Sequence, residues 1–454
     1  MKTLAILTVR NEAAFILEWV AHHRTIGFTE ILAFSNDCSD GTGQMLDRLA
    51  AMGLLTHVSN DGPHPEGPQW AALKRAEKHP LRKKADWIMV VDIDEFVNIH
   101  VGDHSLSALR AALPDATAIP LTWRFFGNGG HVRYEDVPVT AAFHRAAPAV
   151  LYWPWRAALF KTLFRNDRSY GKLGVHRPRQ PDADRMKSIR WFDGSGRELG
   201  HAFHTARIFS DFGQDNFRLA QLNHYALGSM ESYIIKADRG RANRDAVAFD
   251  MSYWVERNFG QEEDRSIAPV AAMAAPLRAE LMADPALARL HGEAVQWRRD
   301  RFDKLMLLEP YRALFGRLLM APPHPRPAAD RGAVSADLCP PRRRAAATGP
   351  LTLAAPNRGK QSHLIVSMRR LISARVCLRH GPGRETMQPA TAMPFMGMKD
   401  RGLGRFYGKR LDRLSTDDER QSKRTPDAGS EDKPGCGEYH DAGRLAGPDR
   451  RDRQ

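Results

Sequence analysis

The sequence predicts an α/β fold, with a mixed, mainly parallel sheet flanked by helices. Three observations carry that prediction. Short runs rich in Val, Ile and Leu recur near residues 3–9, 30–34, 54–58, 87–91 and 117–122. Stretches with apolar residues at helical spacing separate them, as in successive βαβ units. Polar clusters follow the runs, at the carboxyl ends where ligands sit on such sheets.

The first run, 3–9, is short and passes straight into Arg10-Asn11-Glu12 without a small-residue cleavage site. It is therefore expected to be a buried strand and not a signal peptide. Asn11 is expected to cap a helix reaching about Thr25, with Phe15, Ile16, Trp19 and Val20 on its inner face. The pair His22-His23 would form that helix's polar edge. Glu30 to Phe34 reads as a second strand, which opens into the polar loop Ser35 to Gly41. Thr42 to Met52 reads as a helix closed by Gly53, a residue that tolerates the left-handed conformation of a C-cap. Leu54 to Val58 is a third strand and Trp70 to Lys78 a third helix. Trp87-Ile88-Met89-Val90-Val91 is a buried strand, and a helix-strand pair follows near 106–113 and 117–122.

Residues 123–230 are rich in aromatics and histidines without a steady period, which suits short strands and loops; 231–320 read as mostly helical. From Ala321 to Gln454, Pro, Arg, Gly and Ala prevail with no sustained period. That composition predicts a disordered basic tail; a frame-shifted or read-through terminus would read alike. The tail holds 26 Lys/Arg against 15 Asp/Glu, about +11 of the formal +14. The first 320 residues are nearly neutral, so the basic balance is no argument that the folded part binds nucleic acid. Of four cysteines only Cys38 precedes the tail, which excludes a disulfide framework and a cysteine zinc site and fits a reducing compartment. No stretch approaches the roughly 20 apolar residues of a membrane span. A cytoplasmic location is expected, with membrane contact at most peripheral to its inner face.

Asp92-Ile93-Asp94-Glu95, closing the run 87–91, is the most informative cluster. On a continuing strand Asp92 and Asp94 would share one face and Ile93 the other. Two carboxylates so placed suit a divalent cation on a diphosphate. They equally suit a solvated acidic strand end.

Three clusters in order resemble the family-2-like glycosyltransferases of GT-A fold, in the bacterial branch with an Asp-x-Asp-Glu-Phe metal motif. They are Arg10-Asn11-Glu12, Asn36-Asp37-Cys38-Ser39-Asp40-Gly41-Thr42 and Asp92-Ile93-Asp94-Glu95-Phe96. Gly174-Val175-His176-Arg177-Pro178, and Asn223-His224-Tyr225 with Ser232, Lys236 and Arg239-Gly240, extend the resemblance over about 1–260. It implies a metal-dependent glycosyltransferase moving a sugar, from a UDP-sugar for preference, to a glycan or lipid-linked acceptor. The domains would be a nucleotide-sugar-binding half (1–122), an acceptor-binding, site-completing region (123–230), a helical extension (231–320) and the tail (321–454).

Arg10, Asn11 and Glu12 would line the base pocket, and Asp37 would bond the base or ribose. Asp92 and Asp94 would hold Mn²⁺ or Mg²⁺ on the diphosphate, with Asp94 acting in catalysis. Glu95 and Phe96 would shape the donor floor, and Lys236 and Arg239 would face the leaving group. His224 reads either as a third metal ligand or as a hydrogen-bonded core histidine. His176 would be an acceptor or phosphate contact. Asp136 or Glu135, by position after the sheet, would be the acceptor's base. Trp123, Phe125, Phe126, Trp153 and Trp155 could stack on sugars, but such residues are more often core. The departures matter: Cys38 replaces a glycine of the usual loop, and no Gln-x-x-Arg-Trp motif or membrane span follows. A non-processive enzyme with a cell-envelope acceptor fits those departures. Competing readings are a sugar-nucleotide nucleotidyltransferase, disfavoured because no Gly-rich loop follows the first run, and a nucleic-acid-binding protein acting through the tail.

Overall fold

A computed structural model describes residues 1–240 and 249–321, all within one compact unit. The expected tail, apart from Ala321, lies outside the described residues. The α/β prediction holds. Strands β1 (Thr3–Val9), β2 (Glu30–Ser35), β3 (Thr56–Ser59) and β4 (Trp87–Val90) pair in parallel in the order β4-β1-β2-β3. Ile6 lies opposite Val90, and Val9 opposite Ser35. Beyond β4 the sheet turns mixed. Strand Phe160–Arg165 runs antiparallel between β4 and a later strand, Ala118–Phe125. Strand β5 (Glu95–Ile99) pairs antiparallel with Ala220–His224, which runs parallel to Ala118–Phe125.

Both faces of β1, β2 and β4 are covered, so these strands are mostly apolar instead of alternating with polar residues, whereas the edge strand β3 (Thr-His-Val-Ser) is only partly buried. Ala5, Leu7 and Val9 join the core cluster under helix α1 (Ala13–Thr25), while Leu4 and Ile6 join the one on the opposite face. A third cluster, around Tyr233, Trp254 and Leu318, joins the helices Met230–Arg239, Pro285–Met306 and Glu309–Met320. Helix Ala268–Ala283 packs instead on α1, where its Val270, Ala274 and Leu281 join the first cluster. Among the described residues no helix is long and apolar enough to cross a membrane.

Two expectations about α1 are corrected. Asn11 does not cap it: its backbone is left-handed (φ 51°), and its Oδ1 accepts the Ser39 N–H at 2.7 Å. The cap comes from the polar loop after β2. Asp40 Oδ2 accepts the Ala13 N–H (2.9 Å), and Thr42 Oγ1 accepts the Glu12 N–H (3.0 Å). These donors are orphaned at any helix start, and a neighbouring loop answers them as well as a local side chain would.

The pair His22-His23 is not a polar edge but core, at 2% and 0% exposure. His22 Nε2 bonds the Val97 carbonyl (2.8 Å) and His23 Nδ1 the Trp19 carbonyl (2.9 Å). Burial lowers the pKa of His22 to about 4 and holds His23 well below its ordinary value. The unfolded chain protonates both near 6.5 and the native one does not, so stability is lost as pH falls from 6.5 toward 4. At about 1.4 kcal/mol per proton per pH unit, the pair should cost roughly 3–4 kcal/mol between pH 6.5 and 5. Urea unfolding at pH 7 and pH 5 measures this. A His22→Gln/His23→Gln variant should be less pH-sensitive than the native chain, and equal sensitivity would refute the assignment.

Candidate active site

The acidic cluster is not strand. β4 ends at Val90 and β5 begins at Glu95, so Asp92, Ile93 and Asp94 lie in the connecting turn and strand alternation does not govern them. Long-range bonds hold the turn instead. Trp19 Nε1–H donates to the Asp92 carbonyl (3.0 Å), and the Tyr225 N–H donates to the Asp94 carbonyl (2.8 Å). Because His224 lies opposite Glu95 in the ladder, the strand Ala220–His224 delivers its imidazole beside Asp94.

The two aspartates have separate partners. Asp92 Oδ2 accepts from Lys161 Nζ at 2.9 Å and Oδ1 from Gln69 Nε2 at 3.1 Å. Asp94 Oδ2 accepts from Lys236 Nζ at 2.7 Å and lies 3.7 Å from His224 Nε2. Burial works against the charge on Asp94, but Lys236 and His224 together outweigh it and hold the pKa well below the carboxylate range. Burial also lowers the pKa of His224, more than Asp94 raises it, so the ring is neutral near pH 7. Its Nδ1 is buried without a partner.

Glu95 does not form a donor floor. It is fully buried beneath the turn, accepting from Trp123 Nε1 (2.7 Å) and the Asp92 N–H (2.9 Å). Lys161, also fully buried, stands 3.5 Å from its Oε2. Burial, then the nearby aspartates acting against Lys161, push Glu95 up to about 8. Its role is to brace Asp92 and Trp123.

Asp92 and Asp94 open into a cleft of about 1130 Å³ of space free of protein atoms, part of it solvent. Arg10, Gln69, Trp123, His176, His224, Lys236 and Arg239 line it as well. His176 Nδ1 bonds the Phe160 carbonyl (2.9 Å), so Nδ1 carries the proton and Nε2 is left as an acceptor. Burial, with Lys161 next, lowers its pKa to about 4. The bend before it requires Gly174, where a Cβ would lie 2.3 Å from the Arg177 carbonyl.

Other expected residues fall elsewhere. Asn11 and Glu12 line a second cavity beside the cleft, and Glu12 pairs with Arg239, which also donates to the Arg10 carbonyl at 2.9 Å. Phe96 is core but reaches the wall of that cavity. Asp37 is exposed in the loop after β2. It accepts from the Gly62 N–H (3.1 Å) and is in the walls of neither cavity. Asp136 hydrogen-bonds His291 Nε2 at 2.9 Å and does not line the cleft, which removes it as the base there. Phe125 and Phe126 are core, and Trp153 is 56% exposed.

Sequence reasoning missed Lys161, Gln69 and Arg298. Lys161 left a trace, a lone cation inside the apolar run Phe160-Lys161-Thr162-Leu163-Phe164. Gln69 and Arg298, on helices, left none.

Neither the known protein families nor the curated proteins contain a match to the sequence. Among solved structures the chain is similar to S. aureus TarS 1–349 in complex with UDP, at 19% identity and TM-score 0.22 over 30% of this chain and 38% of that one. It is similar to glucosyl-3-phosphoglycerate synthase from Mycobacterium tuberculosis in complex with Mn²⁺, UDP and glucosyl-3-phosphoglycerate, at 19% identity and TM-score 0.20, over 27% and 44%. A third is a Bacillus anthracis protein named for glucose-1-phosphate thymidylyltransferase activity, in complex with a sucrose, at 11% identity and TM-score 0.22, over 36% and 72%. The chain thus spans less than half of the TarS and synthase structures.

Proposed function

We propose that the chain is a glycosyltransferase of GT-A type. It would take a sugar from a nucleoside-diphosphate-sugar, with UDP as the expected nucleotide, and pass it once to a glycan or lipid-linked hydroxyl in the cytoplasm. One observation carries the reading. Asp94, His224 and Lys236 come from distant parts of the chain and meet at the carboxyl ends of parallel strands, in the cleft that Arg10, Asp92 and Arg239 also line.

Asp94 and His224 fit a divalent cation: one ionised carboxylate and one neutral imidazole face each other through Oδ2 and Nε2, 3.7 Å apart, and Nε2 is the nitrogen that would ligate, with Nδ1 carrying the proton. Among the described residues no group of three protein ligands is assembled, so donor oxygens would complete the shell, as is usual for Mg²⁺. Asp92, held by Lys161 and Gln69, serves better as a fixed acceptor for a donor hydroxyl. When bound, the cation would supply Lewis-acid compensation for the departing diphosphate. Lys236 and Arg239 add fixed positive charge on the same side. As the acceptor oxygen bonds the anomeric carbon, the bond from that carbon to the diphosphate breaks and its electron pair leaves with the diphosphate. In the cleft, His176 Nε2 offers a neutral nitrogen lone pair to the hydroxyl proton.

Calorimetric titration of the full chain with UDP and GDP, each with and without Mn²⁺, tests the reading. UDP binding at least tenfold tighter with Mn²⁺ is expected. Absence of binding to either nucleotide by a folded chain would sink it.

A further inference from the structure

The second cavity differs from the cleft in its chemistry. It encloses about 840 Å³ of space free of protein atoms, part of it solvent, and its walls include Phe15, Phe96, Tyr134, Phe143, Tyr225 and Ile235. Aromatic rings set edge to face make much of that wall, with Phe15–Tyr134 centroids 6.2 Å apart and Phe96–Tyr225 5.6 Å. A cavity of this size and polarity suits a compact apolar body. It adjoins the cleft, because Ile93, Asp94, Lys236 and Arg239 stand in the walls of both. A molecule seated among the rings therefore lies beside the residues of the transfer centre.

One wall group does not belong in an apolar pocket. Arg298 is 4% exposed, lies 4.6 Å from the Phe15 ring centroid and 4.9 Å from that of Tyr134, and its Nε has no partner. Its nearest acid is Glu12, whose Oε2 stands at ion-pair distance, 3.9 Å, but beyond hydrogen-bond reach, while Oε1 pairs with Arg239, so one carboxylate serves two guanidiniums. A guanidinium keeps its charge and carries five N–H donors, and burying it without acceptors is costly. At the rim stand the exposed Arg133 and Glu135. Asp94, the carboxylate that the cavity shares with the cleft, is answered by Lys236. Arg298 and Arg239 thus share one carboxylate, which leaves an excess of guanidinium charge beside the two rings, where an oxyanion would find a partner.

We infer that this cavity is the acceptor site of the transfer proposed above and that it takes an amphipathic oxyanion: a ring-sized apolar body bearing a carboxylate or phosphate that pairs with Arg298. The inference rests on that transferase reading for the word acceptor, but the site itself can be tested alone.

The test titrates the full chain with 4-phenylbutyrate, phenyl phosphate and the neutral 4-phenylbutan-1-ol, and separately with UDP plus Mn²⁺. One of the two anions should bind at least tenfold more tightly than the alcohol, and the tighter one names the oxyanion. Arg298→Gln should abolish that preference. Ala142→Trp, which fills the cavity from its partly exposed wall, should weaken every aryl probe at least tenfold and leave UDP binding within threefold; it carries the test if Arg298→Gln does not fold. UDP binding with no aryl-anion preference, or UDP competing with the anion, overturns the inference while the transferase reading stands. Anion binding without nucleotide binding overturns the transferase reading, and with it the acceptor role.

Discussion

Asp94→Asn should lower sugar transfer by about 10³-fold or more, and it should weaken UDP binding in Mn²⁺ at least tenfold. The substitution keeps the shape of the side chain and one acceptor oxygen, so Lys236 Nζ can still bond it as well as the Ala226 carbonyl, 2.7 Å away. What disappears is the negative charge that faces His224. Without it the pair cannot retain a divalent cation, and loss of a preorganised charge at the leaving group is among the larger single effects in catalysis, about 10²–10³ before the metal's share. Removing one member of a partly buried pair also destabilises, by up to about 3–5 kcal/mol. The rate must therefore be compared at a temperature where circular dichroism shows the variant folded. Native rates with native metal-dependent UDP binding would end the case for Asp94. Because its pKa is depressed, Asp94 stabilises the fold above the ordinary carboxylate pKa and loses that role only as pH falls through the lower folded value. Acid loss of activity above pH 5 should then trace to other groups.

At pH 9, above the Glu95 pKa of about 8, Lys161→Met should destabilise the fold by about 3–5 kcal/mol, the usual cost of leaving a buried charge without its partner. Lys161 is the only cation among the described residues within ion-pair distance of Asp92 or Glu95, and Glu95 is fully buried. Burial resists the charge on Lys161, but Asp92 and Glu95 prevail and raise its pKa, so it is an ammonium at working pH. In the variant Glu95 keeps its proton more firmly, so the loss should grow from pH 6 to pH 9 as that proton is forced off. Adding Glu95→Gln should recover about 1–3 kcal/mol, since the stranded charge goes with it. Urea unfolding of the three chains at both pH values reads all of this. A loss under 1 kcal/mol for Lys161→Met, or no recovery in the double variant, would mean that the lysine is not the counter-ion that holds the turn.

Much of the frame was legible because its signals are local. Short unbroken apolar runs, a period near 3.6 between them and Gly53 at a helix end each depend on neighbours a few residues away. Bounds moved by only a residue or two: the helix read as Thr42 to Met52 spans Thr42–Ala51, and that read as Trp70 to Lys78 spans Pro68–Lys78. The order of the polar clusters also put Arg10, Asp37 and Asp92 at the carboxyl ends of the strands; Arg10 and Asp92 line the cleft there and Asp37 does not.

The errors have one physical origin. Asn11 looked like a cap because it precedes a helix, yet Asp40 and Thr42 from another loop do the capping. His22 and His23 looked like a polar edge because histidine is often exposed, but helices late in the chain cover α1. Asp136 looked like a base by its place in the order, and a helix far along the chain supplied His291 to occupy it.

By itself, then, the sequence determined the alternation of strands and helices, the apolar two-sided sheet and the polar clusters at its carboxyl edge, since each follows from propensity and periodicity over short spans. Only the tertiary structure decided that Asp92 and Asp94 leave the strand and turn to different lysines, 69 and 142 residues away in the chain. It alone placed His224 beside Asp94 and sealed Arg298 among aromatic rings. Ion pairs and cavity walls join residues at arbitrary separations, and an interaction with no fixed spacing leaves no period in the sequence to read.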